Sequence, residues 1–497
     1  MSNLSELLPS GGGQNQVEFV ASGTLPNGKP VILKANGQVE VVSQTSTSVS
    51  QSIPAGSSAV FNPAITYYLS VAFDPNTAGK FVVAYRDAGN SDYGMMAVGT
   101  VSGTSISFGS EIAFNSGAVA YVAVSFDPNT AGKFVVAYSD QPASSYGKAI
   151  VGTVSGTSAS FGTEYEFINS TTYDLWLAFD PNTSGKFVIA YNNSSSDGRA
   201  IVGTVSGTSI SYGSETVFNS GNTSYQSVYF DPNTAGKFVV SYRDGGNSNY
   251  GKAIIGTVSG SSLSFGTEVV FNSAATEYGS VAFDHGNSGK FVVAYKDSAN
   301  SSYGTAAVGT VSGTSISFGS EVVFNGAIGW MMIASAPNQA GSFIIAYQDQ
   351  SNSNYGAAIK GTISGTSITF DTEAFFNSAN SERMWVAFNP NTQGDFVVVY
   401  HDNGNSSYGT AIVGRMATTT LTTNLTSTNL IGIAAEAASS GATAKINTWG
   451  GINEAQSSLT IASDYYVQTD GTITTATGGQ KVGQAISATT INMRNQP

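Results

Sequence analysis

Most of the side chains able to bind or react in this sequence recur at a fixed interval. Asp74, Asp127, Asp180, Asp231 and Asp284 occupy one equivalent turn position. A calcium loop gathers several oxygen ligands into one segment, whereas each of these turns offers one carboxylate and one Asn. Ala336 and Asn389 replace the Asp in two further copies. Turn capping is therefore the expected role, and no metal is assigned.

A second set follows a recurring Tyr by two residues: Asp87, Asp140, Asp244, Asp297, Asp349 and Asp402. Tyr93, Tyr146, Tyr250, Tyr303, Tyr355 and Tyr408 close the same loops. An Asp that accepts backbone N–H bonds, with a Tyr packed between neighbouring units, explains the pairing. Contact with sugar or peptide by the exposed edges is the alternative, and it makes Tyr93, Tyr250, Tyr303 and Tyr408 candidate ligand-binding residues.

A third set shares one position: Tyr68, Tyr121, Tyr225, Tyr278 and Trp330, with Asp174 and Arg383 in the remaining copies. Aromatic rings with polar tips suit carbohydrate or protein contacts. Packing at the junction of two units is the competing explanation. The five aromatic residues and Arg383 are candidate ligand-binding groups, and Trp176 and Trp385, two positions on, are expected in the core.

Catalysis finds little support. A serine triad needs a His, and the chain has only His285 and His401, expected on opposite faces with no nucleophile motif near either. Zinc coordination lacks its ligands too, since there is no Cys. Paired carboxylates for glycoside hydrolysis are set in three dimensions, so the spacing leaves that reading open. No unique acid or arginine cluster breaks the repeat, and the expectation is a protein that is not an enzyme and carries no cofactor.

The elements that position these groups follow from the repeat. One phrase, Phe73-Asp74-Pro75-Asn76 through Phe81–Tyr85 in its first copy, begins again at Phe126, Phe179, Phe230, Phe283, Ser335 and Phe388, at steps of 51 to 53 residues. Each unit reads as four short strands. In the first, these are Val71–Phe73, Phe81–Tyr85, Met95–Val101 and Ser105 to about Phe114, with the loop Arg86–Gly94 between the second and third. The middle runs are rich in Val, Ile, Phe and Tyr and bounded by turn residues. Their nearly continuous apolar character fits sheets buried on both faces. An all-β, seven-bladed β-propeller is the fold this predicts. The seventh unit lacks a fourth strand of the usual form, and Ser48–Phe61 resembles the missing piece, so the N-terminal segment is expected to close the ring. Turns of the Asp-Pro-Asn kind share one face with the Ser-Gly-Thr turns. The variable loops share the other with the connections between units, and variable loops on a rigid frame are the usual place for recognition.

Outside the repeat lie residues 1–42 and 417–497, flanking a propeller of residues 43–416. Val17–Ser22 and Val31–Leu33 read as arms of a hairpin around Pro26-Asn27-Gly28, with a further turn at Asn36-Gly37. Strands are expected at Thr443–Thr448, Tyr465–Thr469 and Ala485–Met493, in a small β domain that draws on both ends. Met1–Gln14 is polar and Gly-rich, without the basic start and apolar stretch of a secretory signal. Charged residues make up only 10% of the chain, and the net charge is −13 with no Lys/Arg run. Nucleic acid and anionic membranes are poor partners for such a surface, and no apolar run is long enough to span a bilayer.

The ends resemble a family of small β proteins of bacteriophage virions, common in phages of marine bacteria. The matching residues are Ala21-Ser22-Gly23-Thr24-Leu25, Val31 to Gly37, Leu430 to Ala434, Tyr465 to Gly471, and Val482 to Ala488. The resemblance covers about a quarter of the chain and no catalytic motif. It implies attachment to a phage particle, through head or tail subunits as partners, with the propeller inserted between the two matching ends. Expected on that basis is a non-enzymatic tail fibre, appendage or capsid decoration protein on the virion surface, with homo-oligomers plausible for such parts. Its variable face would meet host surface glycan or protein. A virion-borne or secreted glycan hydrolase, and a spacer without a ligand, are the alternatives.

Overall fold

The computed structural model describes residues 15–493. Met1–Gln14, read above for the absence of a signal, lies outside the described residues. The chain divides into two compact units: Ser50–Thr418, and a second built from the chain up to Val49 and from Thr419 onward.

Ser50–Thr418 is a succession of blade-like antiparallel arrays. In the first, Lys80–Asp87 pairs with the far half of Ala59–Phe73 on one side and with Tyr93–Ser102 on the other. Tyr93–Ser102 then pairs with Ser105–Phe108 and with the start of Ile112–Phe126. Two features depart from the sequence expectation. The fourth strand is broken at Gly109, where a Cβ would strike the carbonyl of Thr157 in the next unit. Beyond the break, the strand does not end near Phe114. It continues through Phe126 as the first strand of the next array. In the second unit even the break is absent, and Ser158–Phe179 runs unbroken.

The core lies between arrays. Phe81, Phe134, Phe187 and Phe238 are wholly buried in the second strands. Each faces a glycine across the ladder, as Phe81 faces Gly99, because a side chain there would collide with the ring. Tyr85, Tyr138, Tyr191 and Tyr242 are buried beside them. Their hydroxyls donate to Glu111 (2.9 Å), Glu164 (2.5 Å), Glu215 (2.8 Å) and Glu268 (2.6 Å), which satisfies a polar tip inside an apolar layer. Burial pushes these phenols well above their ordinary range.

The turn aspartates act locally and between units. Asp74 Oδ1 accepts the N–H of Asn76 (2.9 Å), and its Oδ2 accepts that of Gly132 in the next unit (3.0 Å). Asp180 and Asp284 repeat the bridge to Gly236 and Gly341. Asn76, Asn129 and Asn182 donate to carbonyls of the following turn. Asn391 of the seventh unit donates to Pro75 of the first (3.2 Å). Tyr408–Ala411 pairs antiparallel with residues of Ala59–Phe73, from Ala59 to Ile65. The segment before it adds the bridge Ser52–Arg415, whereas Gln44–Val49 turns aside to pair with Thr418–Thr423.

The other unit holds two five-stranded sheets. Gln16–Val20 does not form a hairpin with Pro30–Leu33, as the sequence suggested. It pairs with Thr443–Asn447, while Pro30–Leu33 lies between Val39–Val41 and Leu430–Ala434. Alternating apolar residues from both chain ends make the long-range pairing the one that buries Val31 and Ile446 together. The expected strand at Ala485–Met493 is two strands, Gln480–Ala485 and Ile491–Asn492, joined by a turn.

Candidate functional site

The first strands of all seven units border a central channel. At the position of the third residue set, each first strand slips register by a β-bulge, as between Tyr67 and Ser70. Tyr68, Tyr121, Asp174, Tyr225, Tyr278 and Arg383 adopt φ of 45 to 52° there. Such a left-handed conformation is an outlier for bulky side chains and costs of order 1–3 kcal/mol each. Bulges re-aim side chains, and these aim theirs into one cavity.

That cavity has a volume of about 220 Å³ and is walled by Tyr68, Tyr121, Asp174, Tyr225, Tyr278, Trp330 and Arg383. Trp330 joins the wall without the left-handed residue. Neighbouring rings touch: Tyr68 and Tyr121 at 5.1 Å between centroids, Tyr225 and Tyr278 at 5.0 Å, Tyr278 and Trp330 at 4.7 Å. Cations lie against their faces, with Arg243 over Tyr225 (4.8 Å) and Arg383 over Trp330 (5.0 Å). Burial pushes the Tyr121 and Tyr278 phenols up to about 12, so both remain protonated donors at neutral pH. Burial also raises the Asp174 carboxyl, opposed by the N–H of Tyr225 at 3.4 Å.

Trp176 and Trp385, assigned to the core from sequence, are half-buried: they pack against hydrophobic cores and also face the channel. They stack on one another at 4.4 Å and border both this cavity and a second one. The second is ringed by Pro75, Pro128, Pro181, Pro232, Pro337 and Pro390 of the Pro-Asn turns, with His285 in the fifth position. His285 and His401 are thus far apart in role. His401 is buried with both ring nitrogens engaged, by Thr66 O at 2.8 Å and Asn403 Oδ1 at 3.0 Å.

The loop tyrosines are not brought to this site. Tyr93, Tyr250, Tyr303 and Tyr408 open the third strands, opposite Asp87, Asp244, Asp297 and Asp402, and none lines the cavity. The register sets this, because the third strand lies two ladders from the channel. Their aspartates cap the loops: Asp87 accepts from Gly89 N (2.9 Å) and Asp402 from Gly404 N (3.1 Å). Two cavity residues escaped the sequence reading. Gln226 and Gly279 stand where other units carry Leu69, Val122, Leu175, Met331 and Met384, and aligning that one position across the repeats would have exposed them.

No protein-family model matches the chain, and no curated protein does. Among solved structures, the chain is similar to the BP39L lectin from Burkholderia pseudomallei, with a TM-score of 0.51 at 9% identity over 70% of this chain and 94% of that one. Sqt1 from Chaetomium thermophilum follows with a TM-score of 0.45 at 12% identity, over 74% and 100%. AofleA from Arthrobotrys oligospora gives 0.40 at 8%, over 71% and 95%. The chain has a β-propeller fold. At these identities the likeness extends to fold alone.

Proposed function

We propose that Ser50–Thr418 is a closed seven-bladed β-propeller that binds glycan, without turnover, in the aromatic cavity at one end of its channel. Closure is supported by the pairing of Tyr408–Ala411 with Ala59–Ile65 and by the Asn391–Pro75 bond. One observation carries the binding reading: seven equivalent positions, six of them in an unfavourable backbone conformation, turn five aromatic rings, an acid and an arginine into a single cavity. Sugar rings present apolar faces that stack on such rings and hydroxyls that bond to their polar tips. The lectin nature of BP39L agrees with it. Hydrolysis of a glycosidic bond ordinarily uses two carboxyl groups, and among the residues lining the cavity Asp174 is the one acid. The test is a glycan array probed with the full chain, followed by titration of the best ligand. Binding that weakens in Trp330→Ala and Tyr121→Ala, at unchanged thermal stability, supports the reading. Absence of binding to any glycan sinks it.

A second reading concerns the other unit. The segments that resemble phage structural proteins, Val31 to Leu33, Leu430 to Ala434, Tyr465 to Val467 and Val482 to Ala485, assemble around shared cores. We propose that this unit attaches the chain to head or tail subunits of a virion, with the cavity presented to host surface glycan. Purified particles that lack the chain would overturn it.

A further inference from the structure

The cavity wall departs from the repeat at one stretch, and the polar groups it introduces have no partners. Gln226 replaces an apolar residue, and Gly279 beside it removes a side chain. Just behind, Ser241 replaces the alanine found at Ala84, Ala137, Ala190, Ala294 and Ala346. Gln226 is 3% exposed and Ser241 0%. Neither amide atom of Gln226 nor the Ser241 hydroxyl has a hydrogen-bond partner. A Cβ placed on Gly279 would meet only Tyr225 O and Ser241 Oγ, at 3.9 and 4.0 Å, so open space adjoins these groups. A buried polar group left unmatched costs about 1–3 kcal/mol, and three independent departures from the repeat converge to create this niche.

Along the same wall, past Tyr278 and Trp330, stands Arg383. Its guanidinium lies over Trp330 and Tyr67 at 5.0 Å each. It makes no ion pair among the described residues, and its Nε is buried without a partner. The other charged groups around the mouth each have an ionic or a hydrogen-bonding partner. Arg86 pairs with Asp92 (3.0 Å) and Lys296 with Glu277 (3.1 Å). Arg243 donates to Ser224 (2.8 Å), Glu382 accepts from Asn380 (3.3 Å), and Asp174 accepts from Tyr225 N.

We infer, resting on the glycan reading above, that the cavity takes a single carboxylate-bearing sugar unit per chain. Its carboxylate meets the planar fork of Arg383, which matches two carboxylate oxygens. A vicinal hydroxyl pair enters the niche. One hydroxyl donates to Gln226 Oε1, the other accepts from Nε2, and Ser241 completes the set. Asp174, the one acid of the wall, is held by Tyr225 N on the Tyr225 side of the niche, and the sugar carboxylate points away from it toward Arg383. Because the departures occur once in the ring, the other junctions do not repeat the site.

The experiment uses the full chain on an array that displays uronic- and sialic-acid-capped glycans beside their neutral counterparts, with calorimetric titration of the tightest pair. Expected are one site per chain and at least tenfold tighter binding of the acidic member. Arg383→Gln should erase that preference, and Arg383→Lys should restore part of it. Gln226→Leu, which installs the residue of a sister unit, should weaken both members about tenfold without lowering Tm. Equal affinity for acidic and neutral members, or several equivalent sites, overturns this inference and leaves the glycan reading standing. Failure of every glycan to bind removes both.

Discussion

The two ends of the channel are built from the same seven first strands, yet they differ in how completely their polar groups are satisfied. At the proline-lined end the repeat is nearly kept. Asp74 and Asp180 each spend both carboxylate oxygens on backbone N–H groups, Asp284 takes two backbone N–H groups on Oδ1 and the Asn287 side chain on Oδ2, and the asparagines stitch one turn to the next. At the aromatic end the repeat is broken by Asp174, Arg383, Gln226 and Gly279, and buried donors and acceptors go unmatched. Repetition solves a folding problem, since each unit inherits a satisfied environment from its neighbour. In the wall of the aromatic cavity, departure from the repeat coincides with unmatched polar atoms at Gln226 and Arg383.

Substitutions that separate stability from binding can break this contrast. The largest effect is expected at the regular end. Asp180→Ala strands the N–H groups of Asn182 and Gly236, each 2.9 Å from a carboxylate oxygen, and should cost up to about 3 kcal/mol of stability. Denaturant unfolding would show it, with glycan affinity unchanged. Loss of affinity as large as the loss of stability would mean the two ends are not independent.

Next comes Trp330→Ala at the aromatic end, expected to weaken glycan binding by about 2 kcal/mol, roughly thirtyfold, with a small change in Tm. A drop in Tm without loss of binding would reassign the ring to packing. Tyr242→Phe tests the layer between the ends. It removes the bond to Glu268, which also pairs with Lys252 at 2.5 Å, and about 1 kcal/mol of stability should go with it.

The smallest effect separates the fifth turn from its proline counterparts. Burial lowers the pKa of His285 below its ordinary 6.5. The unfolded chain therefore takes up a proton first as pH falls, and stability declines from about pH 6.5 downward. His285→Gln should lack that part of the acid sensitivity in Tm measured between pH 7.5 and 5. An unchanged slope would show that other groups set it.

Much of the fold was legible because its signals are local. Pro75, Asn76 and Gly79 specify a turn by their dihedral preferences, and Phe81 to Tyr85 specify a strand by composition. The strand ends were less so. Nothing local distinguishes Ala113 and Phe114, where a strand was expected to stop, from a strand that runs on to Phe126 in the next array. The terminal unit was misread for a similar reason. Pro26-Asn27-Gly28 is a turn, but the partner that buries Val17's strand comes from residue 443 onward. At the candidate site, the set from Tyr68 to Arg383 could be found by column, whereas Tyr93, Tyr250, Tyr303 and Tyr408 looked equally suitable. Only the number of ladders between strand and channel separates the two sets.

The sequence by itself determined the unit, its length, its turns and the chemical types offered at each repeated position, because these follow from short-range sterics and apolar patterning. Tertiary structure alone decided which positions face one another. Residues some fifty positions apart meet in one wall because the units succeed each other around a channel. A one-residue slip in each first strand turns Tyr68 and its equivalents inward. Trp176 and Trp385 stack across more than two hundred residues of chain. Such meetings depend on register and on how successive units pack, which no local window of sequence contains.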